Sequence, residues 1–477
     1  MTGALERADT AVGDLLERAL RAHHRRRLKR IGWLAALDAP AGGWADGDPP
    51  PRPANELEVL VDGAEALPRI AAAVEGARSH VWIAGWFFSP ELELGTHGPR
   101  LRELLAEAAE RVEVRILGWA GAPLPLFHPD RGEVRAMREA LVRGTRIRLA
   151  LDDRERPMHC HHEKLVIVDG ETAFVGGIDL TTFSGNRFDT SDHPSRGGIG
   201  WHDATSRVHG PAVADVADHF RLRWNEVTGE RLPESDMPAD AGELDVQVVR
   251  TVPERIYHAL ARGDFRILES YLRALRSAER LVYLENQFLW SPEIVAVLAE
   301  KLRNPPADGF RVVVVLPAKP KNGAEDTRGQ LGVLMTADDG GGRLLACTIR
   351  QRGVGSDAVY VHAKTGLVDD RWLTIGSANL NEHSLFNDTE MNIVARDERL
   401  ARATRLRLWA EHLECDPDEL DGDPTVIVDR RWRPLAEEQL RRREDGLPPT
   451  HRLVLLPNVS RRAAGMLGPI NGFLVDG

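Results

Sequence analysis

From Glu56 onward the apolar residues arrive in short blocks that switch between two periods. Glu58 to Val61 reads as a strand and Ala64 to Ala77 as a helix, followed by a strand-like run from Val81 to Leu92. Leu101 to Arg111 (helix), Val112 to Leu117 (strand), Glu133 to Arg143 (helix) and Arg146 to Leu151 (strand) continue the alternation. A helix from Pro211 to Trp224 and a polar connection from Gly229 to Glu243 follow, and then the order returns. Phe265 to Glu279 (helix), Leu281 to Gln287 (strand), Pro292 to Leu302 (helix) and Phe310 to Leu316 (strand) repeat it, with Ser291-Pro292-Glu293 answering Ser89-Pro90-Glu91. Strands alternating with helices predict α/β layers, and the recurrence predicts two related halves.

The expected division is an N-terminal helical segment and linker (1–55), a first half (56–228), a linker (229–245), a second half (246–415) and a C-terminal segment (416–477). Within the first of these, Ala8 to Ile31 places Val12, Leu15, Leu16, Leu20 and Leu28 near helical spacing and ends in the basic run Arg25-Arg26-Arg27-Leu28-Lys29-Arg30. Such a run is either a solvated helix end or a peripheral contact with anionic headgroups. Ala39 to Ala54, rich in Pro, Gly and Asp, reads as a loop. Two polar stretches, Thr181 to Gly200 and Asn322 to Gly342, are placed to line opposite walls of a cleft. Asp416 to Asp423 is acidic and loop-like, and beyond Thr425 only short apolar runs appear.

The halves also share chemistry. HCHHEKLVIVDGETAFVGGIDL, from His159 to Leu180, recurs as VYVHAKTGLVDDRWLTIGSANL, from Val359 to Leu380, and one constant offset superposes the matched positions without a gap. His162 pairs with His362, Lys164 with Lys364, Asp169 with Asp369 and Gly176 with Gly376. Side chains two apart on a strand share a face, so each copy offers an imidazole beside an ammonium group. Asp169-Gly170 and Asp369-Asp370 are hairpin-turn signals, and the two aspartates have the opposite parity from their histidines, which assigns them to turn and core hydrogen bonds. The small pairs Gly176-Gly177 and Gly376-Ser377 leave room for an anion near the backbone. Two imidazoles, two ammonium groups and these turns suit a phosphodiester: one neutral histidine attacks phosphorus, the protonated one donates to the leaving oxygen, and the lysines neutralise the other oxygens. That chemistry calls for no metal and no cofactor.

The duplicated H-x-K-x4-D resembles the signature of the phospholipase D superfamily. Further blocks resemble its eukaryotic-type branch: Trp201-His202-Asp203, RVHGPAVADVADHFRLRWN (207–225), LVYLENQFLW (281–290), and GSANLNEHS with Thr389-Glu390-Met391. The resemblance implies the phospholipase D fold, two α/β sandwich halves about a pseudo-twofold axis with the active site at their interface. It implies a metal-independent phosphodiesterase or phosphatidyltransferase acting on phospholipids through a phosphohistidine. It places the nucleophile in the first motif at His162 and makes His362 the general acid and later the base. It makes Lys164 and Lys364 phosphate ligands and puts Asn379 as a neutral donor at the pseudo-equivalent of Asp179. Asp203 and Glu390 become the carboxylate partners of His162 and His362 respectively. Asn286 and Gln287, at a strand end, either line the site or serve packing and turns.

The net charge of −11 over 477 residues disfavours broad nucleic-acid binding. A nuclease or other phosphodiesterase of the same superfamily and a non-catalytic lipid or anion binder are the competing readings. The acidic balance argues against the first, and the intact residues of both motif copies argue against the second. Cys160, Cys347 and Cys415 are too few and too scattered for a disulfide framework. Cys160 among His159, His161 and His162 superficially resembles a metal tract, but no matching ligand cluster recurs in the second half. The N-terminus lacks the apolar core of a signal peptide, and no stretch reaches the roughly 18 apolar residues of a membrane span, so cytoplasmic residence is the expectation.

Overall fold

The computed structural model describes residues 2–95, 97–124, 127–156, 159–182, 200–234, 236–318, 324–351 and 359–456. Most of the stretch expected to line one cleft wall, Thr181 to Gly200, lies outside the described residues.

The alternation read from the chain becomes one continuous sheet with a mirrored strand order. Outward from the centre, the first half runs Arg52–Val61, Ala204–His209, Thr172–Gly176, Leu165–Val168, His80–Gly85, Glu113–Trp119 and Arg148–Asp152. The second half runs Leu244–Val252, Glu390–Ala395, Trp372–Gly376, Lys364–Val368, Leu281–Asn286, Arg311–Val315 and Leu344–Ile349, then Leu453–Leu455. Over the seven strands common to both halves the directions match position by position, the inner pairs antiparallel and the last two parallel, while Leu453–Leu455 adds one antiparallel pair at the edge of the second half. Arg52–Val61 pairs antiparallel with Leu244–Val252 and joins the halves. This is the α/β pseudo-dimer expected.

Part of the interior is shared between the halves. One apolar cluster joins Trp82, Val175, Val208 and Phe220 of the first half to Val246, Val248, Met391 and Ile393 of the second. Another joins Val59 and Ala204 to Tyr283, Val313, Leu367, Trp409 and Trp432. Two further clusters each lie within one half, so each half has a core of its own besides the two that cross the boundary.

Several boundaries differ from the sequence reading. The strand-like run at Val81 stops at Gly85, since Trp86 to Leu92 leave the sheet to pack on its end. Within Asn322 to Gly342, a helix spans Ala324–Asp338, and its buried Leu331 and Leu334 join the second-half core. Ala39 to Ala54 is a fixed strap: Gly43 O accepts from Trp372 Nε1 and Ser270 Oγ, and Gln247 Nε2 donates to Ala45 O and Pro49 O. The N-terminal helix, Thr2–Ile31, packs on the second half through Leu28. The C-terminal segment supplies the helix Arg433–Glu444 and the edge strand Leu453–Leu455.

The motif hairpins explain why each ends in aspartate. Asp169 and Gly170 have φ of 58° and 68°, and Asp369 and Asp370 of 54° and 52°, the left-handed turn that Asp and Gly adopt readily. Asp169 accepts from the amides of Arg78, Ser79 and His80, and Asp369 from those of Glu279, Arg280 and Leu281. Each carboxylate therefore pins its hairpin to the helix-to-strand turn beside it, away from the histidines. Asp369→Ala removes three amide partners and leaves alanine at positive φ, so urea unfolding should show a loss of about 2–3 kcal/mol. Ligand binding below the transition should remain.

Candidate active site

Each motif reaches the interface as a short extended segment that pairs with the opposite half. Tyr360–Val361 forms a parallel pair with Trp201–His202, and His161 forms a parallel bridge with Thr389. The amides of His162 and Glu163 both donate to Thr389 O, while those of His362 and Ala363 both donate to His202 O. The residue after each acceptor is a carboxylate, Glu390 or Asp203. Backbone pairing thus delivers one acid to each histidine from across the boundary.

His162 Nδ1 lies 2.9 Å from Glu390 Oε1, and His362 Nδ1 lies 2.7 Å from Asp203 Oδ2. This corrects the expected pairing of Asp203 with His162 and Glu390 with His362: the carboxylates are exchanged. The reason is the strand crossing, which linear order does not reveal. All four groups are buried. Burial pushes the Glu390 carboxyl well above the usual carboxylate range, against the opposing pull of Lys164 and of hydrogen bonds from Ser377 and Ser384.

The small residues after the return strands serve these acids. A Cβ on Gly177 would sit 2.1 Å from Asp203 Oδ1, and Ser377 Oγ donates to Glu390 Oε2 while Ser384 Oγ donates to Oε1 at 2.6 Å. In this structure the groups they accommodate are the protein's own carboxyls.

Both lysines fold back on their own strands. Lys164 Nζ donates to His162 O at 2.6 Å and lies 3.1 Å from Asp179 Oδ2. Lys364 Nζ donates to His362 O and, at 3.2 Å, to Gln287 Oε1, which also accepts from Asn379 Nδ2 at 3.2 Å. The copies differ in one charge: where the first lysine meets a carboxylate, the second meets an amide. Asn286 Oδ1 accepts from the amides of Phe288 and Leu380, which is a turn role, while Gln287 reaches the site. Trp201 packs edge-on against the His362 ring at 4.5 Å between centroids.

Sequence reasoning passed over the residue between His162 and Lys164. Glu163 points the other way, into the first half, where it meets Arg223 and, at 2.7 Å, His219 Nε2. Arg223 also donates to Asp152 at 2.8 Å and to Tyr257 OH at 2.8 Å. Although burial works against it, Arg223 and His219 hold Glu163 down to about 2. A charged residue in an apolar strand was the available signal, since it demands a buried partner. Behind Trp201 and Asp203, His202 lies between Glu285 Oε2 (3.0 Å) and Asp62 Oδ1 (3.2 Å), and Glu285 continues to His412 Nε2 (2.7 Å). Despite burial, those carboxylates raise His202 well above its ordinary value. Asp62 Oδ1 also accepts the Asp203 amide, so this buried chain fixes the backbone of the acid that holds His362.

Among the described residues, three largely buried clusters have metal-ligand composition: His202 with Glu285 and His412, His202 with Asp62 and Glu411, and His159 with His383 and Asp388. The first two share His202 and are held together internally by the ion pairs of His202 and Glu285.

The family model described as "Cardiolipin synthase, PLD-like domain" matches residues 271–410. Phospholipase D A of Dictyostelium discoideum is 27% identical over an alignment covering 77% of this chain and 36% of that one. A cardiolipin synthase of Listeria monocytogenes is 24% identical, covering 73% of this chain and 67% of that one. Over most of its length the chain is similar to phospholipases D and cardiolipin synthases. It spans about a third of the length of the Dictyostelium relative. A similar fold is seen in the crystal structure of a phosphatidylserine synthase of Haemophilus influenzae, with a TM-score of 0.55 at 12% identity over 88% of this chain and 98% of that one.

A carboxyl whose folded-state pKa is raised takes up a proton more readily folded than unfolded. Its ionisation therefore costs folded stability as pH rises from the ordinary carboxylate range through the raised value. Glu390→Gln removes that cost. Denaturant unfolding should show the variant at least as stable as the parent at pH 8, with the difference disappearing at pH 4 and turnover severely reduced at both. Greater instability of the variant at pH 8 than at pH 4 would contradict this.

Proposed function

We propose that the chain is a phosphodiesterase or phosphatidyltransferase that acts on phospholipids through a covalent phosphohistidine. The observation that carries this reading is the pair of buried imidazoles, each with Nδ1 on a carboxylate from the opposite half. A ring that gives its Nδ1 proton to a carboxylate presents Nε2 to the reaction, as a lone pair when neutral and as a donor when protonated. Neutral His162 attacks phosphorus through Nε2, the bond to the leaving alcohol breaks, and protonated His362 supplies the proton to that oxygen. Neutral His362 then takes a proton from water or an alcohol, whose oxygen attacks phosphorus and releases His162. The order of the two rests on the resemblance of the first motif to the superfamily's nucleophile motif.

Glu390 meets a ring that becomes positive on phosphorylation, so its attraction grows along the reaction path. Lys164 and Lys364 are the ligands for the non-bridging oxygens, and no step is routed through a metal ion. Hydrolysis and transfer share every protein group in this scheme and differ only in the acceptor. The names of the relatives, phospholipase D and cardiolipin synthase, point to a phospholipid as the phosphodiester.

Because the two histidines must hold opposite protonation states, rate should rise and then fall with pH, with apparent values belonging to the pair. His162→Ala should abolish both steps. His362→Ala should lose turnover of ordinary phospholipids, yet retain phosphoenzyme formation from a nitrophenyl ester, whose leaving group needs no proton. Mass spectrometry of the quenched reaction should find phosphate on His162. Phosphate on His362 alone would reverse the two roles, and none on either would exclude the covalent route.

Approach to a lipid surface is proposed through the N-terminal helix. Among the described residues no helix is long and apolar enough to cross a membrane. The helix exposes Val12 and Leu15 (49% and 60% accessible) together with Arg26 and Arg30. Arg27, however, is buried against Glu254, Asn387 and Phe386 O, so it is a structural anchor and leaves the set of candidate lipid contacts. Changing Arg25, Arg26 and Arg30 to glutamine should weaken binding to anionic vesicles roughly tenfold or more at low salt, with the difference shrinking as salt rises. Equal binding at low salt would return the run to a solvated helix end.

A further inference from the structure

The tract HCHH is read from the chain as metal-like in appearance only, because the second half holds no matching motif. The fold supplies the missing ligands from elsewhere. His383 and Asp388, at the two ends of the turn that precedes Glu390, lie against His159: the two Nδ1 atoms are 3.0 Å apart, and His159 Nδ1 is 3.4 Å from Asp388 Oδ1. One ligand atom from each of the three residues lies within 4.8 Å of the others.

Hydrogen bonding leaves one carboxylate oxygen of this cluster without a partner. His159 Nδ1 carries at most one proton, yet it faces both the His383 ring nitrogen and the Asp388 carboxylate, so one proton serves at most one of the two contacts. Asp388 is fully buried; its Oδ1 accepts the Cys160 amide at 3.0 Å, and its Oδ2 has no hydrogen-bond partner. A cation at the centre would satisfy all three groups together. With metal-to-ligand distances of about 2.0–2.1 Å, a tetrahedral ion holds neighbouring ligand atoms about 3.3 Å apart, close to the two separations observed. Two imidazoles and one carboxylate favour a borderline ion of the zinc class over magnesium or calcium, which prefer oxygen. The Asp388 contact with the Cys160 amide is the type of outer hydrogen bond that orients a ligating carboxylate. His159, the only one of the three that is not fully buried, leaves a route for entry.

We propose that His159, His383 and Asp388 form a binding site for one zinc-class divalent cation, which clasps the first half to the second beside the nucleophile's crossing. Asp388 is followed by Thr389 and Glu390, and Thr389 receives the amides of His162 and Glu163 while its own amide donates to Cys160 O. The clasp would therefore hold the short segment that carries His162 to its acid. It takes no part in the chemical steps and stands whether or not the phosphohistidine route is correct.

The test uses the full-length protein stripped of metal by chelation and dialysis, then titrated with Co2+ and displaced with Zn2+. One equivalent of Co2+ should give the intense visible bands of a tetrahedral site, lost on adding Zn2+, and Zn2+ should raise the thermal midpoint. His159→Asn and Asp388→Asn should each weaken Co2+ binding at least tenfold. Cys160→Ser and His128→Gln should leave it unchanged; the latter alters an exposed cluster of His128, Asp130 and Glu133. His159→Asn changes a partly exposed residue, and its thermal midpoint without metal checks that it folds. No tetrahedral spectrum in the parent protein would overturn the proposal, as would equal Co2+ affinity in the His159→Asn and Asp388→Asn variants.

Discussion

Each histidine segment leaves its own half to bond with the backbone of the other. That crossing is the constraint on which the site depends, because a backbone amide bond fixes position far more tightly than a long side chain can. Two amides on Thr389 O and two on His202 O set the depth of the histidines, and the next residue in each acceptor strand is the acid that orients the ring. Neither half alone contains a histidine with its carboxylate. The active arrangement exists only when both are folded together, which fits the two apolar clusters that run through the boundary.

Around that crossing the structure invests in buried polar groups that a hydrophobic interior does not tolerate singly. Glu163 is compensated by Arg223 and His219, Asp152 by Arg223, and His202 by Glu285 and Asp62. Removing one member of such a pair leaves an uncompensated charge and costs far more than the pair contributes. These groups are better understood as positioning devices than as sources of stability: they hold Glu163, and hence the strand between His162 and Lys164, and they hold Asp203 behind His362. Glu390 is the exception, kept at a buried position where its ionisation is unfavourable, a local cost of the kind expected where chemistry takes precedence over stability.

The pseudo-symmetry holds for the seven strands on either side of the junction and is broken in chemistry. Both aspartates after the motifs clamp a turn in the same way, and both lysines fold onto the carbonyl of the histidine two residues before them. Yet Asp179 meets one lysine and Gln287 the other, and one carboxylate is a glutamate fastened by two serines while the other is an aspartate lying against glycine. Two imidazoles at matching positions thereby receive unlike surroundings, which is what the proposed division into nucleophile and proton donor would require.

Local patterns determined much of this by themselves. Period-2 and helical blocks predicted the α/β alternation, because burial on one face imposes those spacings on any chain. Strand parity separated His162 and Lys164 from Asp169, and the hairpin signal at Asp169-Gly170 marked a turn, since both follow from backbone geometry within a few residues. What lay beyond reach were relations between residues far apart in the chain. The exchange of Asp203 and Glu390, the role of Gly177 and Ser377 beside those acids, the strap of Ala39 to Ala54, and the meeting of His159 with His383 and Asp388 all depend on which strand lies beside which. Only the tertiary structure decides that, because shared burial and backbone pairing across the two halves choose the neighbours, and neither leaves a periodic trace in the sequence.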